Sequence, residues 1–236
     1  MANDGQELQL AVMATVAAHD LYRFFHTRDD ETRALRGISF SVSRGEFVAL
    51  MGPSGSGKST LLACLAGLDV PDGGQVELLG ERIARLSEAE RTARRLKHIG
   101  ILMQSRNLFS DLTVEENVRL PLILSDQSDD GQVSRLLKDI RLSNRSFALS
   151  GELSGGEAAR VGLAIALVRN PELVLADEPT AEVDADTEKH LLAILRRHCD
   201  TGAAVVVATH STALAKTASR VIRIADGRIA DDSGSR

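Results

Sequence analysis

Residues 47–68 read FVALMGPSGSGKSTLLACLAGL. Phe47–Met51 is an unbroken apolar run of strand length, and LLACLAGL is apolar all round, as a buried helix is. Between them GPSGSGKST fits G-x-x-x-x-G-K-[ST], with Gly52, Gly57, Lys58 and Ser59 in the required positions. Glycines let backbone N–H groups crowd around phosphate oxygens, and the helix that follows points its positive end at them. The loop residues Gly52, Pro53, Ser54, Gly55, Ser56, Gly57, Lys58, Ser59 and Thr60 are therefore candidate phosphate-binding residues. Lys58 would neutralise β and γ oxygens, and the Ser59 hydroxyl would ligate Mg²⁺. The bland alternative is an ordinary glycine turn, which the flanking strand and helix disfavour.

Outward from this loop, LVLADEPT at 173–180 puts Asp177 and Glu178 at the carboxyl end of a second buried strand. Ligands of open α/β sheets bind there. Asp177 is suited to hold magnesium and Glu178 to orient or deprotonate the water that attacks a γ-phosphate. VVVATH at 205–210 ends another apolar run in His210, which should emerge on the same sheet edge. Read alone, the two acids could cap a helix and the histidine could be a surface residue.

The remaining pattern predicts a parallel core sheet, an antiparallel flank and a helical lobe. Ile38, Phe40 and Val42 alternate with serines, as in a strand with one wet face. Residues 75–79 predict another strand, and SEAERTARRLKHIG at 87–100 a charged helix. Val133, Leu136, Leu137 and Ile140 recur at helical spacing in a segment of about 100–160 that reads as an inserted lobe. VIRIADGRIA at 221–230 predicts a hairpin turning on Asp226-Gly227.

Composition excludes several classes. With 43% hydrophobic and 26% charged residues the chain should fold, and a net charge of -5 leaves no basic field for nucleic acid. Cys64 and Cys199 lack metal-ligand or C-x-x-C spacing, so they predict reduced, helix-packed thiols. LAVMATVAA at 10–18 is too short to span a bilayer and lacks the basic flank of a signal peptide, which predicts a chain that is cytoplasmic or associated with a membrane through something else.

A second glycine stretch, LSGGE at 153–157, is by itself a tight turn ahead of a helix expected from about Glu157. In company it carries a resemblance. From about Ala17 to Asp231 the chain resembles the nucleotide-binding subunit of ABC transporters, with motifs in the family's order. GPSGSGKST resembles the Walker A loop, Gln104 in ILMQS the Q-loop, LSGGE the signature, LVLADE the Walker B strand and His210 the switch histidine. The fold implied is α/β: a P-loop NTPase core with mostly parallel sheet, an antiparallel β flank and an inserted α-helical lobe, the ABC ATPase fold. Its implied division is an extension over 1–16, the ATP-binding core over 17–99 and 161–236, and the lobe with Q-loop and signature over 100–160.

The resemblance implies an ATPase that binds ATP and Mg²⁺ and works as a homodimer or heterodimer, packed head to tail, with a separate membrane permease at the cytoplasmic face of the plasma membrane. Ser154, Gly155 and Gly156 of one subunit would then bind the γ-phosphate held by the other. Catalysis would fall to Glu178, His210, Lys58 and Gln104, and the metal to Ser59, Gln104 and Asp177. Spacing to ALRG aligns Phe25 with the adenine-stacking aromatic, with Tyr22 and Phe24 as rivals, and Asp184 in AEVDAD with the aspartate linking the two sites. ALRGISF and QSRNLFSDLTVEENVRLPL are most similar to the lipoprotein-release and macrolide-export branch, which implies export or extraction. An ATPase that signals across the membrane without moving substrate is the alternative. The chain departs from the branch at Ala158, Ala159 and Ile165, at AEVD, and in a short polar lobe over 125–152.

Overall fold

The computed structural model describes residues 14–26, 31–83, 86–104, 107–181 and 183–234. Of the extension expected over 1–16, residues 1–13 lie outside these, as do Ser105 beside Gln104 and Glu182 of AEVD. Ala14–Val16 belong to the first strand, so the core begins earlier than the expected 17.

Two sheets form the molecule. One is antiparallel, in the order β2 (Glu31–Ser43), β1 (Ala14–His26), β4 (Gly73–Leu78), β5 (Glu81–Arg82). The other runs β10 (Arg228–Gly234), β9 (Arg220–Ala225), β3 (Phe47–Met51), β8 (Ala204–Thr209), β7 (Leu173–Asp177), β6 (Ile99–Leu102). Only β10 is antiparallel to its neighbour there.

The unbroken apolar runs have a packing reason. Phe47 and Ala49 of β3 face the core under the lobe-side helices, while Val48 and Leu50 face α1 (Lys58–Leu65) and the antiparallel sheet. A strand covered on both faces leaves no position for a polar side chain. Cys64 in α1 and Cys199 in α6 (Ala185–Asp200) are buried, and burial pushes the Cys64 thiol up to about 12 and raises that of Cys199.

The charged helix α2 (Glu88–His98) stops sooner than 87–100 predicts, and Ile99–Leu102 becomes the edge strand β6, paired with β7. Residues 100–102 therefore leave the expected lobe and join Ile99 in the core sheet. The close packing of β6 against α5 (Gly155–Leu167) needs Gly100: a Cβ there would lie 2.2 Å from the Ala166 carbonyl oxygen and 2.9 Å from Pro171 Cγ. Gly100→Ala is expected to cost about 2–3 kcal/mol by overpacking, read as a lower urea midpoint at unchanged slope.

The lobe consists of α3 (Val114–Leu124) and α4 (Gln132–Asp139), whose Val114, Val118, Val133 and Leu137 join one core with Val161 and Leu163 of α5. Helix α5 thus runs from lobe to core, and the expected boundary at 160 falls inside it. No helix among the described residues is long and apolar enough to cross a membrane.

Candidate active site

The loop after β3 wraps an open cavity of about 590 Å³ lined by Phe25, Thr32, Ala34, residues 52–60, Gln104, Asp177, Glu178 and His210. Gly57 turns the chain into α1 at φ 103°, where a Cβ would lie 2.3 Å from the Ala34 carbonyl oxygen. A side chain is excluded there twice, by conformation and by space. The Lys58 side chain is buried, and its ammonium donates to the carbonyls of Gly52 at 2.9 Å and Pro53 at 3.1 Å. Ser56 Oγ is buried without a hydrogen-bond partner, and the first N–H groups of α1 have none within the helix. Donors gathered without acceptors suit a polyphosphate.

Across the cavity, β7 ends at Asp177, which is 6% exposed, and β8 ends at Thr209. Glu178 follows Asp177 in the left-handed region at φ 47° and donates its N–H to the Ala208 carbonyl at 2.9 Å. Such a conformation costs a non-glycine residue about 1–3 kcal/mol. It turns the glutamate away from the strand direction into the cavity, where Oε2 meets His210 Nδ1 at 3.0 Å and the His210 N–H at 3.4 Å. The carboxylate is 14% exposed and the imidazole 72%. Glu188, which the sequence did not single out, steadies these loops by accepting from Thr180 Oγ1 and Ser211 Oγ.

Phe25 lines the cavity and its rivals Tyr22 and Phe24 do not. Gln104 lines both this cavity and a neighbouring one of about 200 Å³, shared with Gly155, Ala158, Ala159 and Glu178.

Ser154, Gly155 and Gly156 are not gathered into the phosphate cavity, nor is Asp184. Ser154 caps α5, which starts at Gly155 and not near Glu157 as the sequence suggests. The reason is a capping box: Ser154 Oγ accepts from the Glu157 N–H at 3.3 Å, and Glu157 Oε2 accepts from the Ser154 N–H and hydroxyl, each at 2.9 Å. The Ser154 N–H, and after it the hydroxyl, hold the Glu157 carboxyl below its ordinary range. The S-x-x-E spacing within LSGGE carried this signal. Asp184 caps α6, accepting from the N–H groups of Asp186 and Thr187 and from Thr187 Oγ1.

The family model described as ABC transporter matches residues 35–181. The macrolide export ATP-binding/permease protein MacB of Bdellovibrio bacteriovorus is 42% identical over 205 residues, covering 86% of this chain and 32% of that protein. MacB of Chlorobaculum tepidum is 40% identical over 206 residues, with the same coverage. The chain spans about a third of the length of these curated relatives. Among solved structures, the ATP-binding cassette MJ0796, dimeric in a post-hydrolysis state bound to ADP and Pi, matches with a TM-score of 0.89 at 33% identity, over 94% of this chain and 99% of that one. A second dimeric structure of MJ0796, described as a bacterial ABC transporter cassette, gives 0.88 at 32% identity, with the same coverage. With its P-loop NTPase core, antiparallel flank and helical lobe, the chain belongs to the ABC transporter family, as an ATP-binding and ATP-hydrolysing cassette.

Proposed function

We propose that two such cassettes close head to tail around two ATP molecules, hydrolyse them, and pass the closing and opening to a membrane permease for export or extraction. The observation that carries this reading is the separation of Ser154, Gly155 and Gly156 from the phosphate cavity of their own chain. A phosphate site with one wall supplied by a neighbour makes closure depend on nucleotide, since ATP then has contacts in the closed state that it lacks in the open one. The MacB relatives are named as ATP-binding/permease proteins, which supports a permease as what the motion drives. This cassette would then sit at the cytoplasmic face of the plasma membrane, held there by the permease.

Within each site, Lys58 and backbone N–H groups of the loop and of the first turn of α1 bind the β- and γ-phosphates. Phe25 stacks on adenine. Ser59, Asp177 and Gln104 would hold Mg²⁺, which supplies neutralisation of the charge on the phosphate oxygens. Asp177, which is buried, and Ser59 line one small cavity, and their carboxylate and hydroxyl are oxygen donors of the kind this ion takes. A proton on His210 Nδ1 lets the ring donate to Glu178 Oε2 and hold it, leaving Oε1 to accept a proton from the attacking water. Oxygen from that water bonds the γ-phosphorus as the bond to ADP breaks, giving ADP and Pi. Asp184, at the cap of α6, faces the partner and ties one site to the other.

Reconstitution with the permease in liposomes tests the export reading. ATP-dependent movement of a substrate out of the membrane or across it is expected. Full ATP turnover with no movement would instead favour a cassette that signals across the membrane.

A further inference from the structure

At the mouth of the cavity Phe25 has a companion. The guanidinium of Arg23 lies over its ring, 4.6 Å from the centroid. An arginine near the surface ordinarily samples many rotamers, yet Arg23 is anchored twice: Nε donates to Asp69 Oδ2 at 2.8 Å and Nη1 to Asp72 Oδ2 at 3.0 Å. Asp72 also accepts the N–H of Phe24 at 2.7 Å, which, ahead of Arg23 itself, holds its carboxyl below the ordinary range. Arg23 Nη1 further reaches the Phe24 carbonyl at 3.3 Å. Both aspartates lie between α1 and β4. The clamp therefore joins the strand end that carries Phe25 to the segment following the helix that begins at Lys58.

A plain surface ion pair would contribute little and would need no aromatic ring beside it. The ring is what makes the arrangement specific. A cation against one face of an aromatic ring is attracted by its π density and draws that density toward itself. The opposite face then offers a less repulsive surface to the electron-rich π system of a purine. Fixing the plane of Phe25 before nucleotide arrives also removes part of the ordering cost of stacking.

We infer that Arg23, held by Asp69 and Asp72, is a positioning residue for the nucleobase, backing the Phe25 ring so that the purine of ATP stacks on its other face. This rests on Phe25 being the base-stacking residue.

The test compares equilibrium affinities of the full chain for ATP and for inorganic tripolyphosphate, both with Mg²⁺. Arg23→Leu is expected to weaken ATP binding about 3- to 20-fold and to leave tripolyphosphate within about twofold. Arg23→Lys, which keeps a cation over the ring, should recover much of the loss. Asp69→Asn, which loosens the guanidinium without removing it, should give a smaller loss of the same kind, and it carries the test if Arg23→Leu does not fold. Phe25→Ala is the control and should lower the preference for ATP over tripolyphosphate more than any of these. If it leaves that preference unchanged, the stacking assignment falls and the role of Arg23 falls with it. If it lowers the preference while Arg23→Leu and Asp69→Asn do not, or if those two weaken both ligands equally, the positioning role alone is overturned.

Discussion

Glu178→Gln is expected to lower ATP turnover about 10²- to 10⁴-fold, the range a general base contributes, while ATP still binds. The substitution preserves the shape of a side chain that the surroundings already constrain, since residue 178 is in the left-handed region and its N–H remains tied to the Ala208 carbonyl. What it removes is the basic oxygen facing the water, along with the charge that pairs with His210 Nδ1 at 3.0 Å. None of the groups that hold the triphosphate is touched. Because hydrolysis ends the closed state in this reading, ATP should also drive the variant into dimers that persist. The measurement is phosphate release in steady state together with gel filtration in ATP. Turnover at the wild-type rate would remove Glu178 from the role of base, and slow turnover without dimers would break the link between hydrolysis and opening.

Much of this site could be foreseen because its chemistry restricts residue types at fixed short spacing. A loop that bends as sharply as the chain does at Gly57, next to Lys58 and Ser59, leaves a pattern in consecutive residues. The strands β3, β7 and β8 were equally legible, since burial on both faces imposes an unbroken apolar run. That His210 and Glu178 meet followed only from their common sheet edge. The φ of 47° that turns Glu178 into the cavity has no signature in glutamate itself.

Other features were hidden for physical reasons. β6 is four residues long and follows a charged helix without a breaker, so its strand identity comes from pairing with β7 and not from local preference. The Arg23 clamp closes over sequence separations of 46 and 49 residues. No periodicity connects such positions. At LSGGE two signals overlap: the serine proposed to meet phosphate is also the first member of a capping box, which starts the helix two residues ahead of Glu157.

A mixing experiment gives the other large effect. Lys58→Ala removes charge-assisted contacts to phosphate, each contributing about 1.5–3 kcal/mol, so hydrolysis by this variant alone should fall about 10- to 100-fold or more. Ser154→Arg, in a chain whose own cavity is intact, replaces the hydroxyl at the start of α5 with a bulky side chain, and the lost cap costs about 1 kcal/mol, too little to unfold the domain. Alone it too should be nearly inactive. Mixed in equal amounts, the two should regain activity, because a mixed pair joins the intact cavity of the Ser154→Arg chain to the intact signature of the Lys58→Ala chain. With random pairing and independent sites, half the pairs are mixed and each has one working site of two, so the rate should rise to about a quarter of wild type. The same composite site predicts that wild-type specific activity falls on dilution. A mixture no more active than its components, at concentrations where the wild type depends on dilution, would return Ser154 to its own chain's cavity or to a purely structural cap. Recovery would instead mean that Ser154, outside the cavity lined by Lys58, completes it across a shared interface.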